Sequence, residues 1–537
     1  AGRKNFARIL EIYPTHLMKT LPARIRFCLA LLLIITAAAG CNLPNLETTH
    51  GPAGATAQHS GTLNTAAPTR QATQAPLAET INSPTPNSSR PDLTPTPDGF
   101  HRPPVPRTEP SEYIVQSGDT LLGIARGHWI GLRTLAEAND IQNTNIIYPG
   151  QKLIIPAPPL TPAGPGFKIL PDSEVVYGPS TIGFDVDRFV SEAGGFLSTY
   201  VEGLENTTRT GAYVIQWVSQ DYSINPRLLL ALVEYRSGWV TSKTVTEKQK
   251  LYPLGFETPG YEGLYAQLAW ASNEINRGYY LWRVNGVPNW VLKDESLVPP
   301  DAGINAGTAG IQHLLAYLLG YVEWLGAVSD TGVYAVYEKL FGYPFAAAYE
   351  PITPPDLAQP VMILPFEKGA VWRFTGAPHG AFGSGAAWAA LDFAPPGESL
   401  GCVDSDAWVT ALAGGLVVRA ERGQVLLDLD GDGSQQTGWV VQYLHIEGRD
   451  MVKPGTVLET GDRIGHPSCE GGYSTGTHVH IARRYNGEWI SADGALPFNL
   501  DGWISVGTGI AYNGYLTKNG QTVSAYVGNS PYHKIQR

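Results

Sequence analysis

The chain has 537 residues, and at about 150 residues per domain this predicts roughly three or four folded units instead of one core. Charged residues make up only 16% while glycines number 60 and prolines 42, a balance that predicts many strands and loops. A formal net charge of −11 offers no basic face for phosphate backbones and argues against a nucleic-acid partner, and four cysteines in this length exclude a fold stapled together by disulfides.

The first methionine is Met18, and residues 1–17 are expected to be an extension upstream of it. A basic stretch (Lys19, Arg24, Arg26), an apolar run over 27–36 and small residues up to Cys41 follow in the order of a secretory signal. The run is shorter than the roughly 20 apolar residues of a spanning helix. Ala38-Ala39-Gly40-Cys41 resembles the lipobox of bacterial lipoproteins. That resemblance implies lipid attachment at Cys41, membrane contact through the lipid anchor alone, and an extracytoplasmic place in the cell envelope, at the cell surface or in the periplasm. Segment 1–41 is therefore read as extension plus lipoprotein signal. Residues 42–111, rich in Pro, Thr, Ala, Ser and Asn, bury too little apolar surface to fold and are expected as a disordered linker averaging about 45 to 50 Å end to end.

Segment 112–157 reads as βααβ. Alternation at 113–115 predicts a strand, helical spacing covers 121–126 and 132–139, and 152–155 closes with a second strand. Ser117-Gly118-Asp119-Thr120 has the composition of a helix cap. Its pattern, Y-x-V-x-x-G-D-T-L, then I-A, then L-x-x-x-N, then Y-P-G-Q-x-L-x-I-P, resembles a LysM domain over 113–156. The resemblance implies binding of N-acetylglucosamine-containing glycan between two loops, here Gly118, Asp119, Thr120 and Leu121 on one side and Ile146 and Pro149 on the other. For Gly118, Asp119 and Thr120 a purely structural capping role stands equally open.

A Pro/Gly hinge (158–166) leads into 167–350, where apolar residues recur at helical spacing in 226–240, 264–283 and 307–325. This predicts a mainly α domain. Segment 225–239 resembles the helix of lysozyme-like transglycosylases that presents a catalytic glutamate just before Ser-Gly, but that position holds Arg236, which gives up no proton to a glycosidic oxygen. Glu234 lies about 200° away around the helix. The domain is read as a degenerate, non-catalytic lysozyme-like unit.

Beyond a linker at 351–361, residues 362–510 switch to short alternating strands with Gly/Asp turns, followed by an expected tail at 511–537. In Gly476-Thr477-His478-Val479-His480-Ile481 the two histidines share one strand face. His445 ends another strand, and His379 and Asp392 lie 13 residues apart. Together these positions resemble the lysostaphin-type, or LytM-like, zinc endopeptidases that cut peptide bonds in peptidoglycan. The common H-x3-D spacing would place Trp388 at the metal, and the wider spacing matches the staphylolysin subgroup. The resemblance implies Zn2+ held by His379, Asp392 and His480, three protein ligands being the number of a catalytic site with an open position. It places His445 and His478 beside the metal, with His478 as base and His445 as oxyanion stabiliser, roles the sequence leaves interchangeable.

Two other matches are set aside. Gly472-Tyr473-Ser474-Thr475-Gly476 fits G-x-S-x-G but precedes a strand where a nucleophile elbow needs a helix. The run 428–433 begins like a calcium loop but has Trp439 at its twelfth position and reads as an Asp/Gly hairpin turn. His466, in a Gly/Pro turn, receives no role. Of the cysteines, Cys28 lies in the signal run and Cys41 in the lipobox, which leaves Cys402 and Cys469 for a disulfide in an exported domain.

The expectation is a multidomain protein with a βααβ LysM module, a mainly α middle domain and a mainly β, antiparallel peptidase domain. Its function would be that of a cell-wall-bound zinc metalloendopeptidase acting on peptidoglycan. The competing reading is a catalytically inactive peptidoglycan-binding scaffold or amidase activator.

Overall fold

The computed structural model describes residues 101–397, 401–528 and 533–537. The signal segment, the lipid-attachment residue Cys41 and residues 42–100 of the expected linker lie outside the described residues. No helix among the described residues is long and apolar enough to cross a membrane.

Strand β1 (Ser111–Ile114) pairs antiparallel with β2 (Lys152–Ile155), Ser111 opposite Ile155, and helices α1 (Leu121–Gly127) and α2 (Leu132–Glu137) lie between them in sequence. The Thr120 hydroxyl accepts the Gly123 N–H (3.0 Å) and caps α1, whose Leu121, Ile124 and Ala125 form the small core with Leu135, Leu153 and Ile155. The N-terminus of α2 has no side-chain cap of its own. Glu295 of the next domain supplies one, both carboxylate oxygens accepting the Arg133 N–H (3.1 and 3.0 Å). Arg126 lies over the Tyr317 ring (4.4 Å), and Trp129 packs on the helical core. The module is thus docked on its neighbour.

The middle domain contains α3 (Val186–Ala193), a hairpin of β3 (Val201–Leu204) and β4 (Thr207–Thr210), α4 (Gly211–Tyr222), α5 (Pro226–Ser237), α6 (Glu247–Leu251), α7 (Leu264–Arg283), a hairpin of β5 (Trp290–Val291) and β6 (Leu297–Val298), α8 (Ala306–Leu318), α9 (Tyr321–Ala327) and α10 (Val333–Phe341). Helix α5 starts on an Asn225 cap with Pro226 in its first turn and stops at Gly238. The run 307–325, helical in spacing throughout, is broken between α8 and α9. There the Asp294 carboxylate accepts the Tyr321 N–H (2.8 Å) and starts a second helix, a long-range cap that periodicity does not reveal.

The third domain is built on β7 (Val371–His379), β8 (Ala390–Ala394), β9 (Val409–Thr410), β10 (Gly415–Glu421), β11 (Gln424–Asp428), β12 (Trp439–Leu444), β13 (Val457–Leu458), β14 (Arg463–Gly465), β15 (Val479–Tyr485), β16 (Glu488–Trp489), β17 (Asn499–Leu500), β18 (Trp503–Gly507), β19 (Gly514–Lys518), β20 (Gln521–Ser524) and β21 (Lys534–Gln536). The main sheet runs β13-β10-β11-β12-β15-β8-β7-β21, with β16 beside β15. Its pairings are antiparallel. Period-2 alternation sends Leu391, Phe393, Tyr443, Val479 and Ile481 into an apolar core, leaving Asp392, Gln442, His480 and Arg484 on the other face. The middle domain packs near that second face: Asp221 of α4 meets Arg419 (2.9 Å), and the Ser223 hydroxyl donates to the Gly487 carbonyl (2.6 Å).

Three expectations are corrected. The described end of the expected first linker is packed: His101 stacks on Trp282 (4.6 Å), and Arg107 donates to the Ile155 and Pro156 carbonyls. The stretches 158–166 and 351–361 are docked as well, Gly164 N–H bonding to the Pro299 carbonyl and Ile352 buried in the helical core. The described residues of 511–537 are no tail, since β19 and β20 extend the sheet of β17 and β18, and β21 closes the edge of the main sheet against β7.

Candidate metal centre

His480 and Asp392 are register partners on β15 and β8, and His379 ends β7 on the far side of β8. The fold thereby brings one donor atom each from His379, Asp392 and His480 within 4.8 Å of one another. All three side chains are buried.

Backbone carbonyls orient the imidazoles. His379 Nδ1 lies 2.8 Å from the Ala377 carbonyl and His480 Nε2 lies 2.8 Å from that of Ala381. A carbonyl only accepts, so these nitrogens carry the hydrogens. The other two, His379 Nε2 and His480 Nδ1, face each other at 3.0 Å, with Asp392 Oδ1 3.3 and 3.1 Å away. Three lone-pair donors on one point repel unless a cation lies among them, and a His2Asp set with second partners on both rings suits zinc. Burial pushes the Asp392 carboxyl up, but the neighbouring His379, His478 and His480 imidazoles outweigh it and hold it well below the ordinary carboxylate range. Burial pushes the His480 imidazole down.

His445 and His478 flank this point. His445 Nδ1 donates to the Glu470 carbonyl (2.7 Å) and His478 Nδ1 to the Gly476 carbonyl (2.8 Å), which leaves each Nε2 with a lone pair. His478 Nε2 stands 3.6 Å from Asp392 Oδ1, and the two rings are 4.4 Å apart. His445 has φ +66°, a left-handed conformation uncommon for a non-glycine residue and often found at functional sites. Burial, then the neighbouring His478 and His480, push its imidazole down to about 3. His445 is therefore neutral over the ordinary pH range.

The Cys402–Cys469 disulfide is formed, with Cα atoms 5.8 Å apart. The Glu470 carbonyl belongs to this bridged segment, and so does the Ser468 N–H, which bonds to the His445 carbonyl (2.7 Å). Tyr512 carries no motif and sits in the stretch expected as a tail. Its ring stacks on His379 (4.1 Å), and its backbone bonds to Ala377 and Pro378. Only the resumption of alternating strands after it could have signalled its place.

Other expected site residues divide. In the LysM module Gly118, Ile146 and Pro149 are exposed, and the Gly150 N–H bonds to the Val115 carbonyl (2.8 Å), just past the end of β1. Asp119 accepts from the Tyr113 hydroxyl and the Gln116 N–H, Thr120 is the cap, and Leu121 is core at 1% exposure. The Leu121 side chain is thus corrected from glycan contact to packing. Tyr148, not singled out from sequence, is 67% exposed beside Ile146 and Pro149. In α5, Glu234 accepts from the N–H groups of Val240 and Thr241, and Arg236 donates to the Leu254 carbonyl. Both serve the fold locally. At the β11–β12 turn, Asp428 accepts three backbone N–H groups from 430, 431 and 433, as a hairpin turn requires.

A LysM module, a helical domain and a β domain with a His2Asp centre define a modular metallopeptidase class, and comparison with known proteins agrees. Residues 113–156 match the LysM domain family, and residues 168–354 match the family described as LasA, N-terminal domain. The latter match replaces the lysozyme-like kinship read from the single helix α5. The chain is 27% identical over 364 residues to Protease LasA of Pseudomonas aeruginosa, covering 63% of this chain and 78% of the relative. It is 31% identical over 193 residues to the beta-lytic metalloendopeptidase of Achromobacter lyticus, covering 34% of this chain and 46% of that protein. Among solved structures, the M23 metalloprotease pseudoalterin from the deep sea aligns with 25% identity and a TM-score of 0.27, over 34% of this chain and 100% of that one. The protein is a homologue of LasA-like M23 zinc peptidases that also carries a LysM domain.

Proposed function

We propose that the protein is a zinc metalloendopeptidase of the cell wall that hydrolyses peptide bonds in peptidoglycan and is held on the glycan by its LysM module. The observation that carries this reading is the convergence of His379 Nε2, His480 Nδ1 and Asp392 Oδ1 beside two imidazoles whose Nε2 atoms are free to exchange protons. Bound there, zinc supplies Lewis acidity, polarising a peptide carbonyl and lowering the pKa of water toward about 7.

The chain's own groups supply the proton handling. His478 Nε2, with its Nδ1–H held by Gly476, is placed to take a proton from attacking water. His445 Nε2 presents a lone pair while the ring is neutral. It becomes a donor only on taking up a proton, which burial resists and negative charge developing on the substrate oxygen favours. The carbonyls of Ala377 and Ala381 hold the two other imidazoles each in one tautomer. The Tyr512 ring keeps His379 from swinging out.

The LysM module raises the local substrate concentration by tethering, and it suits a location at the cell wall or outside the cell. Anchoring through a lipid at Cys41 is part of the proposal and is supported by the sequence over 18–41. The proposal divides the chain into a LysM module (112–157), a helical domain (167–350) and a peptidase domain that begins at 362 and takes in 511–537. Mass spectrometry of fragments from purified walls tests the function: new peptide amino termini on intact glycan are expected, whereas new sugar ends alone would contradict it.

A further inference from the structure

Loop 380–389 joins the strand ending at His379 to the strand carrying Asp392, and its Ala381 carbonyl is the acceptor for His480 Nε2. All three candidate ligands therefore depend on one loop. Inside the loop the Ala381 N–H bonds to the Ala387 carbonyl (3.0 Å), and much of its remaining support comes from the helical domain.

Asn273 of α7 is the main grip. Its Oδ1 accepts the Gly385 N–H (3.1 Å), and the approach is so close that a Cβ on Gly385 would stand 1.8 Å from the Asn273 backbone oxygen. At Gly383, where φ is +72°, a Cβ would lie 2.4 Å from Asn273 Oδ1. The two glycines let the loop lie against the helix. Beside them Phe382 packs edge-on against Tyr222 at the end of α4 (5.0 Å, 90°), and Arg277 donates to the Ser384 hydroxyl (3.2 Å). Arg277 is itself held by Glu274 (3.4 Å). About a turn further along α7, the Tyr280 hydroxyl accepts the Trp489 N–H (3.0 Å), and its ring joins Phe382 on a small apolar cluster containing Ala381 and Ala482.

We propose that Asn273 and Tyr222, with Arg277 at the margin, are positioning residues of the metal centre. The helical domain clamps loop 380–389 in the conformation that sets the ligand spacing and the carbonyl on which His480 is hung. The wide separation of His379 and Asp392 creates a loop too long to hold itself, and the domain before it supplies the missing support. This rests on the zinc reading above. Partners that orient metal ligands typically change affinity about 10- to 100-fold when removed, so the clamp has a readout independent of turnover.

The test is zinc affinity of the full chain, measured by competition with a chromogenic chelator, for the unaltered protein, Asn273→Ala, Asn273→Asp and Ser384→Ala. Asn273→Ala should weaken zinc binding about tenfold. Asn273→Asp keeps an oxygen for the Gly385 N–H and should remain near the unaltered value. Ser384→Ala removes an exposed hydroxyl that cannot unfold the helical domain, and it should weaken binding about fivefold. It decides the matter if Asn273→Ala fails to fold. Zinc affinity unchanged in Ser384→Ala and in folded Asn273→Ala, or equally weakened in Asn273→Ala and Asn273→Asp, overturns the clamp. Failure of the unaltered chain to bind zinc overturns the zinc reading itself.

Discussion

Asp392 and His480 stand directly opposite each other on β8 and β15, and His480 Nδ1 lies 3.1 Å from Asp392 Oδ1. Sheet register alone therefore assembles two of the three candidate ligands, and His379, one strand over, completes them.

The proposed ligand and proton-transfer roles should separate by mutation. His480→Ala should remove both stoichiometric zinc and wall hydrolysis. His445→Ala should keep zinc and lower turnover about 100- to 10,000-fold. Metal analysis of the purified variants beside a wall-clearing assay checks both, and full zinc in His480→Ala would show the ligand set to be wrong.

The Cys402–Cys469 bridge braces the backbone around His445 and His478 more than that around the three candidate ligands. Segment 468–470 carries the contacts to His445 and His478, while the Val403 N–H bonds to the Thr477 hydroxyl (2.8 Å) from the other end of the bridge. Reduction by a phosphine, or Cys402→Ser with Cys469→Ser, should lower kcat with zinc retained. Equal kcat before and after reduction would count against this.

Asp221 takes Arg419 (2.9 Å) and Arg422 (3.6 Å) across the domain boundary and the Trp217 indole N–H (2.7 Å) within α4, all at nearly buried positions. Asp221→Ala leaves these donors without their acceptor and should cost about 3 to 5 kcal/mol. The midpoint of urea unfolding reads this, and a shift below about 1 kcal/mol would show that water or Gln220 takes over.

The buried pair of His313 and Glu274 (3.2 Å) gives the helical domain an acid limit. Burial pushes the His313 imidazole below its ordinary value of 6.5. Burial raises the Glu274 carboxyl, but His313 and Arg277 outweigh it and leave the group below 4.5. Both groups bind protons more readily when unfolded, so the stability they contribute is complete above about pH 6.5 and is lost as pH falls through their folded values. His313→Gln should flatten the upper part of this decline in a melting-temperature profile, and an identical profile in the variant would reject it.

Much of this was legible from residues. The HxH alternation of 478–480 requires only a strand, and the Asp/Gly turn and the LysM pattern are local. What escaped was long-range. The cap that Asp294 gives to Tyr321 splits a helix whose apolar spacing is continuous. The ring of Tyr512 reaches His379 from 133 positions away through strand pairing that composition does not encode. The stretches 158–166 and 351–361 read as hinge and linker because their packing partners are distant in sequence, and Leu121 belongs to the core although it ends the LysM motif G-D-T-L.

The central claim is most directly tested by removing and restoring the metal. The full chain should clear purified walls, lose that activity when a chelator strips its zinc, and regain it with one equivalent of zinc per chain. Hydrolysis that persists in the demonstrably zinc-free protein, or is absent with zinc bound, would contradict the account.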